Sequence, residues 1–500
     1  MSGVKCNVKD NQTNHLAIAD DSLGAGVPDL QQPDASPSVS SGASRHPSPV
    51  TRHADFVRWC ERGMAIGWYL VWFILPFSKA GVEIGSCLAI ACWWGKRLLL
   101  ARTEGMWRWT EQLGPARWPL VWFLLICAVT IFTGVRPEQS ASALWRKTLE
   151  YAAMFVVTTE VVRDRRHFRW LVLLLLISGV AMGGDAIYQH LTRRDWLRGH
   201  LLMAERVTGP FEMPSDFGAY LISVVPIVAM VALAGVRMGW LSAVKGVVSA
   251  DRSSTERSDD GVWRVGVLSR RFRMVCLAVT GLMFWSLAES VSRGAWFALA
   301  SVGLVLAAIR SRRLFAAAFV GLLLLTWSLP DSITSHLVEA ITVGDAASQQ
   351  RVAMWAITWK MITDRPLLGH GLGVYMWNLG NYGITPDNVL MINYAHNCYL
   401  QMWAEIGIFG LAAFVWLIGV TLVLGVKRWL SERDPFMRAV TLGIVAGLSA
   451  LLIHSGVDTD LYSLQLATMG WIMMGLAFAA ARYDGAATVL THKGERSRWW

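Results

Sequence analysis

Long apolar runs, broken by short charged or turn-forming segments, fill the chain after about residue 60. A helix of about 20 apolar residues crosses a hydrocarbon core of about 30 Å, and most of the runs approach that length. The pattern predicts an all-α membrane protein with about 12 transmembrane helices and a large loop that contains amphipathic helices. The predicted spans lie near residues 63–78, 80–95, 118–134, 143–162, 168–189, 217–236, 274–291, 294–310, 314–330, 398–426, 439–456 and 461–481.

The composition excludes a soluble globular protein of this size. Of the 500 residues, 54% are hydrophobic and 16% are charged, whereas soluble proteins carry about 25% charged residues. The 7 cysteines form no CxxC pair and show no metal-site spacing. Residues 1–52 are rich in Ser, Pro, Asp and Gln and lack the regions of a cleavable signal peptide. This composition predicts that the segment is a disordered tail.

The distribution of basic residues predicts the orientation of the chain in the membrane. With the N-terminus inside, 34 of the 46 Lys and Arg residues fall on the cytoplasmic side and 12 on the outer side. Cytoplasmic segments carry this excess in membrane proteins, so both termini are predicted to be cytoplasmic. Topology therefore explains the net charge of +10, and no nucleic-acid partner is expected. The predicted parts are a disordered cytoplasmic tail (1–55), spans one to nine (56–330), a periplasmic loop with interfacial helices (331–397), spans ten to twelve (398–482) and a cytoplasmic tail (483–500).

The loop at 331–397 contains an amphipathic segment from Arg351 to Ile362. Helical spacing places four apolar residues on one face, and Pro366 is expected to end the helix. These residues are Val352, Trp355, Trp359 and Ile362. A face with two tryptophans suits a membrane interface, and packing against the helix bundle is the alternative.

Few ionisable residues lie on the predicted outer side. The candidates for substrate binding and catalysis are three arginines, Arg206, Arg293 and Arg351, and one histidine, His396. Taken singly, lipid contact is the alternative for Arg293 and loop solvation is the alternative for Arg206 and Arg351, whereas a structural role is favoured for His396. Together they are typical of a phosphate clamp with a proton acceptor. The guanidinium fork donates paired hydrogen bonds to phosphate oxygens, and imidazole is a general base near neutral pH.

Other motifs predict structural roles. Asp458-Thr-Asp460 has the acidic spacing of some metal-dependent glycosyltransferases, but a lone D-x-D occurs often by chance. The segment from Gly369 to Gly373 resembles a phosphate loop, yet it follows no strand and lacks the following Lys-Ser/Thr. We therefore expect a turn there. His370 and His454 are expected to be structural, with His454 taking part in polar packing.

Four stretches are similar to one known family. They are Arg206-Val-Thr-Gly209 through Asp216, Ser292-Arg293-Gly294, Arg351-Val-Ala-Met-Trp355 through Gly373, and His396-Asn397 through Gly407. In this order they resemble the O-antigen ligase and polymerase superfamily, which comprises bacterial glycosyltransferases with about a dozen spans and one large periplasmic loop. The last two stretches are the most specific. The resemblance covers about residues 60–480.

The resemblance implies an enzyme of the Gram-negative inner membrane. Such an enzyme ligates O-antigen, carried on undecaprenyl pyrophosphate, to the lipid A-core oligosaccharide on the periplasmic side. It implies metal-independent transfer without a cofactor, with His396 as the base and Arg206, Arg293 and Arg351 at the pyrophosphate. Direct attack on the anomeric carbon predicts inversion. The supporting candidates are Asn397, Tyr399, Glu405 and Asp216, and the alternative bases, should His396 only bind, are Asp216, Glu289 and Glu405.

Several alternatives share these features. An O-antigen or exopolysaccharide polymerase and a protein O-oligosaccharyltransferase use the same donor and differ in the acceptor. A ligase is favoured because the loop is moderate in size and no large soluble C-terminal domain follows. A 12-span transporter is disfavoured because the two halves of the chain do not repeat, and a non-catalytic scaffold because arginines cluster on the outer side.

Overall fold

Thirteen long helices form the part of the chain that the computed structural model describes, namely residues 49–105, 108–203, 205–234, 269–328, 346–383 and 394–483. The helices are α1 (Pro49–Ile74), α2 (Lys79–Glu104), α3 (Arg117–Thr133), α4 (Leu149–Val161), α5 (Arg165–Thr192), α6 (Pro214–Leu233), α7 (Arg270–Glu289), α8 (Arg293–Arg310), α9 (Arg312–Ser328), α10 (Ala346–Asp364), α11 (Cys398–Ser431), α12 (Pro435–His454) and α13 (Leu464–Arg482). Short helical turns lie at Arg108–Gln112, Gly114–Ala116, Pro137–Ala143, Leu144–Thr148, Tyr375–Asn378, Leu379–Tyr382 and Asp460–Tyr462. Only isolated β-bridges, and no strands, occur in these residues.

The prediction of an all-α membrane protein is confirmed. Within the described ranges, 9 helices are long and apolar enough to cross a membrane, and they include α2, α3, α5 to α8 and α11 to α13. The other three predicted runs fall on α1, α4 and α9. Helix α9 has only 17 residues, and α4 continues from a π-helical turn at Leu144–Thr148. The count of 12 spans therefore stays a prediction. Helix α1 begins at Pro49, inside the segment that was predicted as tail.

Helices α6, α12 and α13 form the centre of the bundle, where most of their side chains are buried. Two glycines of α12 allow its close approach to α6. A Cβ atom at Gly447 would lie 2.0 Å from the carbonyl oxygen of Ser223, and one at Gly443 would lie 2.5 Å from Cα of Ile227. Small residues permit such contacts between membrane helices. The antiparallel packing brings the end of α12 next to the start of α6.

Helix α11 is broken at Gly407, whose φ is 69°. The segment after α10 runs beside this break, so that the amides of His370 and Gly371 donate to the carbonyls of Ala404 (2.9 Å) and Glu405 (2.8 Å). A Cβ atom at Gly407 would meet the carbonyl oxygen of Leu367 at 2.0 Å. Both the left-handed conformation and the close approach therefore require glycine.

The predicted turn from Gly369 to Gly373 is confirmed. Gly369, Gly371 and Gly373 all have positive φ, at 69°, 118° and 68°. His370 is buried against α10, and its Nε2 lies 2.9 Å from the carbonyl oxygen of Met361. Burial lowers the pKa of His370, although the hydrogen bond to Met361 opposes the shift. The segment is a packed turn, as the sequence indicated.

Helix α10 begins at Ala346, one turn earlier than predicted, and ends at Asp364, just before Pro366. Of the predicted apolar face, Ile362 is buried, whereas Val352 and Trp359 are exposed. A second face packs inward instead through Met354, Thr358, Met361 and Ile362. The hydroxyl groups of Thr358 and Tyr375 lie 2.6 Å apart, which satisfies these polar groups within the core. Trp359 also contacts Trp403 of α11 edge-on, with ring centroids 5.8 Å apart, so the described contacts fit both the interfacial alternative and packing on the bundle.

Cysteine labelling tests the orientation. In a chain whose native cysteines are replaced, we expect an impermeant maleimide to label Ala340→Cys from outside and to leave Thr255→Cys unlabelled until the cells are permeabilised. The expectation follows from the basic residues; both positions lie outside the described residues. The reverse labelling pattern would invert the topology.

Candidate functional site

Residues from five separate segments meet at one end of the helix bundle. Arg206 lies in the loop before α6, Arg293 is the first residue of α8, and Arg351 lies in the second turn of α10. His396 directly precedes α11, and Asp458 follows α12. Asp458 joins these segments, because its carboxylate lies 3.3 Å from Nδ1 of His396 and 3.6 Å from Nη2 of Arg351.

His396 occupies a strained backbone position. Its φ of 49° lies in the left-handed region, which residues with a Cβ atom rarely adopt. The next residue, Asn397, caps α11: its Oδ1 accepts from the amides of Tyr399 and Leu400, each at 3.0 Å. The cap fixes the start of the helix and thereby the position of the imidazole. The side chain of His396 is 36% exposed, so a substrate can reach it.

Asp458 determines which nitrogen of His396 is available. Burial opposes its ionisation, but the hydrogen bond from His396 and the charges of His454 and Arg351 outweigh burial and hold the pKa of Asp458 well below its usual range. An ionised carboxylate only accepts hydrogen bonds, so Nδ1–H of His396 donates to it. Nε2 is then left to accept a proton from another molecule.

The three predicted arginines share one electrostatic environment. Burial lowers the pKa of Arg206, the charges of Arg293 and Arg351 lower it further, and Asp458 partly offsets them. Nε of Arg206 donates to the carbonyl oxygen of Ser290 at 2.9 Å, which directs the guanidinium toward the turn before α8. The guanidinium group of Arg206 interacts electrostatically with those of Arg293 and Arg351, and Asp458 lies near Arg206 and Arg351. Three such groups favour the binding of a multiply charged anion.

A second histidine–aspartate pair lies beside the first. Nδ1 of buried His454 is 2.8 Å from Asp460, whose carboxylate also accepts a 3.0 Å hydrogen bond from the hydroxyl of Ser455. Burial and the charge of Asp458 raise the pKa of Asp460, although His454 opposes the shift. A Cβ atom at Gly294 would lie 3.1 Å from Nε2 of His454. The pair thus supports the turn that carries Arg293, and the structural role predicted for His454 is confirmed.

The carboxylates of the D-x-D motif bind different partners. Asp458 contacts His396 and Arg351, and Asp460 contacts His454 and Ser455. Among the residues with described coordinates, no group of three or more His, Cys, Asp and Glu side chains could hold a metal ion. The two carboxylates are therefore held apart by different side chains, Asp458 by His396 and Arg351 and Asp460 by His454 and Ser455.

Two of the supporting candidates contribute to packing. Glu405 is buried and accepts hydrogen bonds from the amide of Tyr375 (3.1 Å) and the hydroxyl of Tyr462 (3.2 Å), so it holds the turn after α10 in place. The hydroxyl of Tyr399 donates to the carbonyl oxygen of Leu452 at 2.6 Å, which connects α11 to α12. Neither side chain contacts His396 in these hydrogen bonds.

The other acidic candidates lie at the edges of the site. Asp216, in the first turn of α6, is close enough to Asp458 and Asp460 to interact with both electrostatically. Glu289 lies 2.8 Å from Nδ1 of His190 and forms a hydrogen bond with this ring. The sequence interpretation did not find the role of Asp458. The only signal was its position at the outer end of a span, in a motif that suggested a metal.

Two comparisons relate the chain to known proteins. Residues 278–415 match a protein family described as O-Antigen ligase. The chain is also 27% identical over 164 residues to an O-antigen ligase of Salmonella typhimurium (strain LT2), and this match covers 29% of the chain and 39% of the relative. The matched segment contains three of the four main candidates, Arg293, Arg351 and His396, and three supporting candidates, Asn397, Tyr399 and Glu405. The resemblance to the O-antigen ligase superfamily that the four sequence stretches indicated is therefore confirmed, with its matched segment at residues 278–415.

Proposed function

We propose that the chain is an O-antigen ligase, a glycosyltransferase of the Gram-negative inner membrane whose reaction takes place on the periplasmic side. Its donor is O-antigen on undecaprenyl pyrophosphate and its acceptor is the lipid A-core oligosaccharide. The observation that carries the proposal is the contact between Asp458 and half-exposed His396, beside Arg206, Arg293 and Arg351. The relative named as an O-antigen ligase favours this acceptor over the alternatives.

The site supplies a base and an anion clamp for a single displacement. Nε2 of His396 takes the proton of an acceptor hydroxyl while that oxygen attacks the anomeric carbon. The bond between this carbon and the pyrophosphate oxygen breaks, and the electron pair leaves with the oxygen. The arginines stabilise the negative charge that develops there. Asp458 holds the imidazole and stabilises its protonated form, so no covalent glycosyl-enzyme is needed and the anomeric configuration inverts.

Transfer between purified components tests the acceptor. Protein in detergent is given lipid-linked glycan together with lipid A-core, a second lipid-linked glycan or a pilin-like protein. We expect only lipid A-core to gain the glycan, with an inverted linkage in the NMR spectrum. Elongation of the second glycan would instead identify a polymerase, and modification of the protein a protein O-oligosaccharyltransferase. A retained configuration would contradict single displacement.

We expect transfer to continue after metal removal. Arginines provide the charge stabilisation at the leaving pyrophosphate that a divalent ion provides elsewhere. Rates measured before and after dialysis against excess EDTA should agree within error. Loss of activity that magnesium or manganese restores would assign a metal-binding role to Asp458 and Asp460 and refute the arginine clamp as sufficient.

A further inference from the structure

A cavity of about 530 Å³ lies at the other end of the bundle from His396. Helix α13 connects the two places: it begins close to Asp460 and ends at Arg482, which lines the cavity. Its 19 residues span about 28 Å at 1.5 Å per residue, which is close to the thickness of the hydrocarbon core. The cavity therefore lies on the face of the membrane opposite to the glycosyltransferase site.

Basic side chains form the floor of the cavity. Lys96 and Arg97, adjacent in α2, have only 5% and 3% of their side chains exposed. A buried ammonium or guanidinium group is costly unless anions satisfy it. The general excess of cytoplasmic basic residues explains why these residues lie at this end, but not why they are buried.

The carboxylate of Glu160 lies within 4 Å of three of the cations. Glu160 accepts a 2.9 Å hydrogen bond from Nε1 of Trp93 and forms an ion pair with Arg97. Lys96 lies 3.4 Å from the same carboxylate and Arg163 lies 3.8 Å from it, distances longer than a good charge-assisted hydrogen bond. Oε1 of Glu160 is thus taken by Trp93 and Arg97, and Oε2 faces Lys96 and Arg163.

The mouth of the cavity adds further positive charge. Arg163 is 55% exposed, Arg482 is exposed, and Glu61, which is 2.7 Å from Lys96, is 42% exposed. Four cations, Lys96, Arg97, Arg163 and Arg482, therefore face two carboxylates, Glu61 and Glu160. A phosphate monoester carries a charge of about −1.5 to −2 near pH 7, which matches the excess of two positive charges.

We propose that this cavity binds a phosphate group carried on a larger molecule. The volume lies within the range of about 300–1,000 Å³ that is typical of small-molecule sites, which leaves room for a substituent beside the phosphate. Lys96 and Arg97 hold the phosphate at the floor, and Arg163 and Arg482 close over it at the mouth. A lipid headgroup and a soluble phosphate ester both have this chemistry.

Binding measurements on the full chain in an uncharged detergent test the proposal. The probes are dihexanoyl phosphatidic acid, glycerol 3-phosphate and inorganic phosphate, with dihexanoyl phosphatidylcholine as the zwitterionic control. We expect Arg163→Gln/Arg482→Gln to weaken binding of the phosphate esters about tenfold or more, because each arginine supplies charge-assisted hydrogen bonds. Arg313→Gln, which removes an exposed arginine that does not line the cavity, should bind like the wild type.

The probes distinguish the sources of the phosphate. Tighter binding of phosphatidic acid than of glycerol 3-phosphate supports a lipid headgroup, and equal binding supports a soluble ester. The proposal is overturned if no phosphate probe binds or if the double variant binds them as tightly as Arg313→Gln. Because the readout is binding, and glycan transfer by the double variant is expected to be unchanged, the result is independent of the proposed ligase activity.

Discussion

His396→Ala is expected to lower the rate of glycan transfer about 10²–10⁴-fold while donor binding stays close to normal, because a positioned general base contributes roughly this factor. The sugar hydroxyl is a poor nucleophile, and Nε2 of His396 is the group that we assign to its deprotonation. Donor affinity rests instead on the arginines. Single-turnover transfer and binding of lipid-linked glycan, measured on the same preparation, separate the two effects.

His200→Ala provides the matched control, because His200 is an exposed histidine on the same predicted side of the membrane. It should transfer at the wild-type rate. If His396→Ala lost donor binding but transferred the bound donor normally, His396 would be a binding residue. The base would then be sought at Asp216, since Glu405 and Glu289 are engaged in the contacts described above.

The carboxylate of Asp458 is expected to be required for transfer. Its depressed pKa keeps it ionised, and the ionised carboxylate accepts Nδ1–H of His396. Asp458→Asn should reduce the single-turnover rate of transfer at least about tenfold, because an amide does not favour the required tautomer in the same way.

The helices could be predicted from sequence because their signal is local. Each of the apolar runs falls on a helix, since length and composition decide where a membrane span forms. The break at Gly407 could not be predicted in the same way. Its conformation depends on the carbonyl of Leu367, which belongs to a different segment and reaches the helix only in the folded chain.

The candidate site could be predicted only in part, because some of its residues meet only in the folded chain. Arg293 and His396 stood out because charged or polar residues at the ends of spans are few. Asp458, the partner of His396, did not stand out. It is 62 residues away in sequence and meets His396 only through the packing of α12 beside α11. Asn397 was predicted as a supporting residue of the site, and in the structure its side chain caps a helix. A local pattern does not distinguish a capping residue from a residue that contacts the substrate.

Arg206→Ala and Arg293→Ala are each expected to lower transfer about 10²–10³-fold, the usual cost of removing one group that stabilises developing negative charge. Unlike the histidine variant, they should also weaken donor binding. Lysine should restore little activity at either position, because a point charge cannot donate the paired hydrogen bonds of a guanidinium group. Arg351→Ala is expected to have a smaller direct effect on the donor, but it also removes a cation that lies 3.6 Å from Asp458.

Arg194→Ala is the matched control for the clamp, because Arg194 is exposed in the same outer loop as Arg206. Each variant is first checked for insertion and for an unchanged thermal transition, and then compared for donor affinity and single-turnover rate. Full activity of Arg293→Lys would reduce the requirement at that position to a single positive charge. Near-normal transfer by Arg293→Ala would leave lipid contact as the better account of Arg293. A loss in both alanine variants, with little rescue by lysine and none of the loss in Arg194→Ala, is the result that bidentate binding of the pyrophosphate requires.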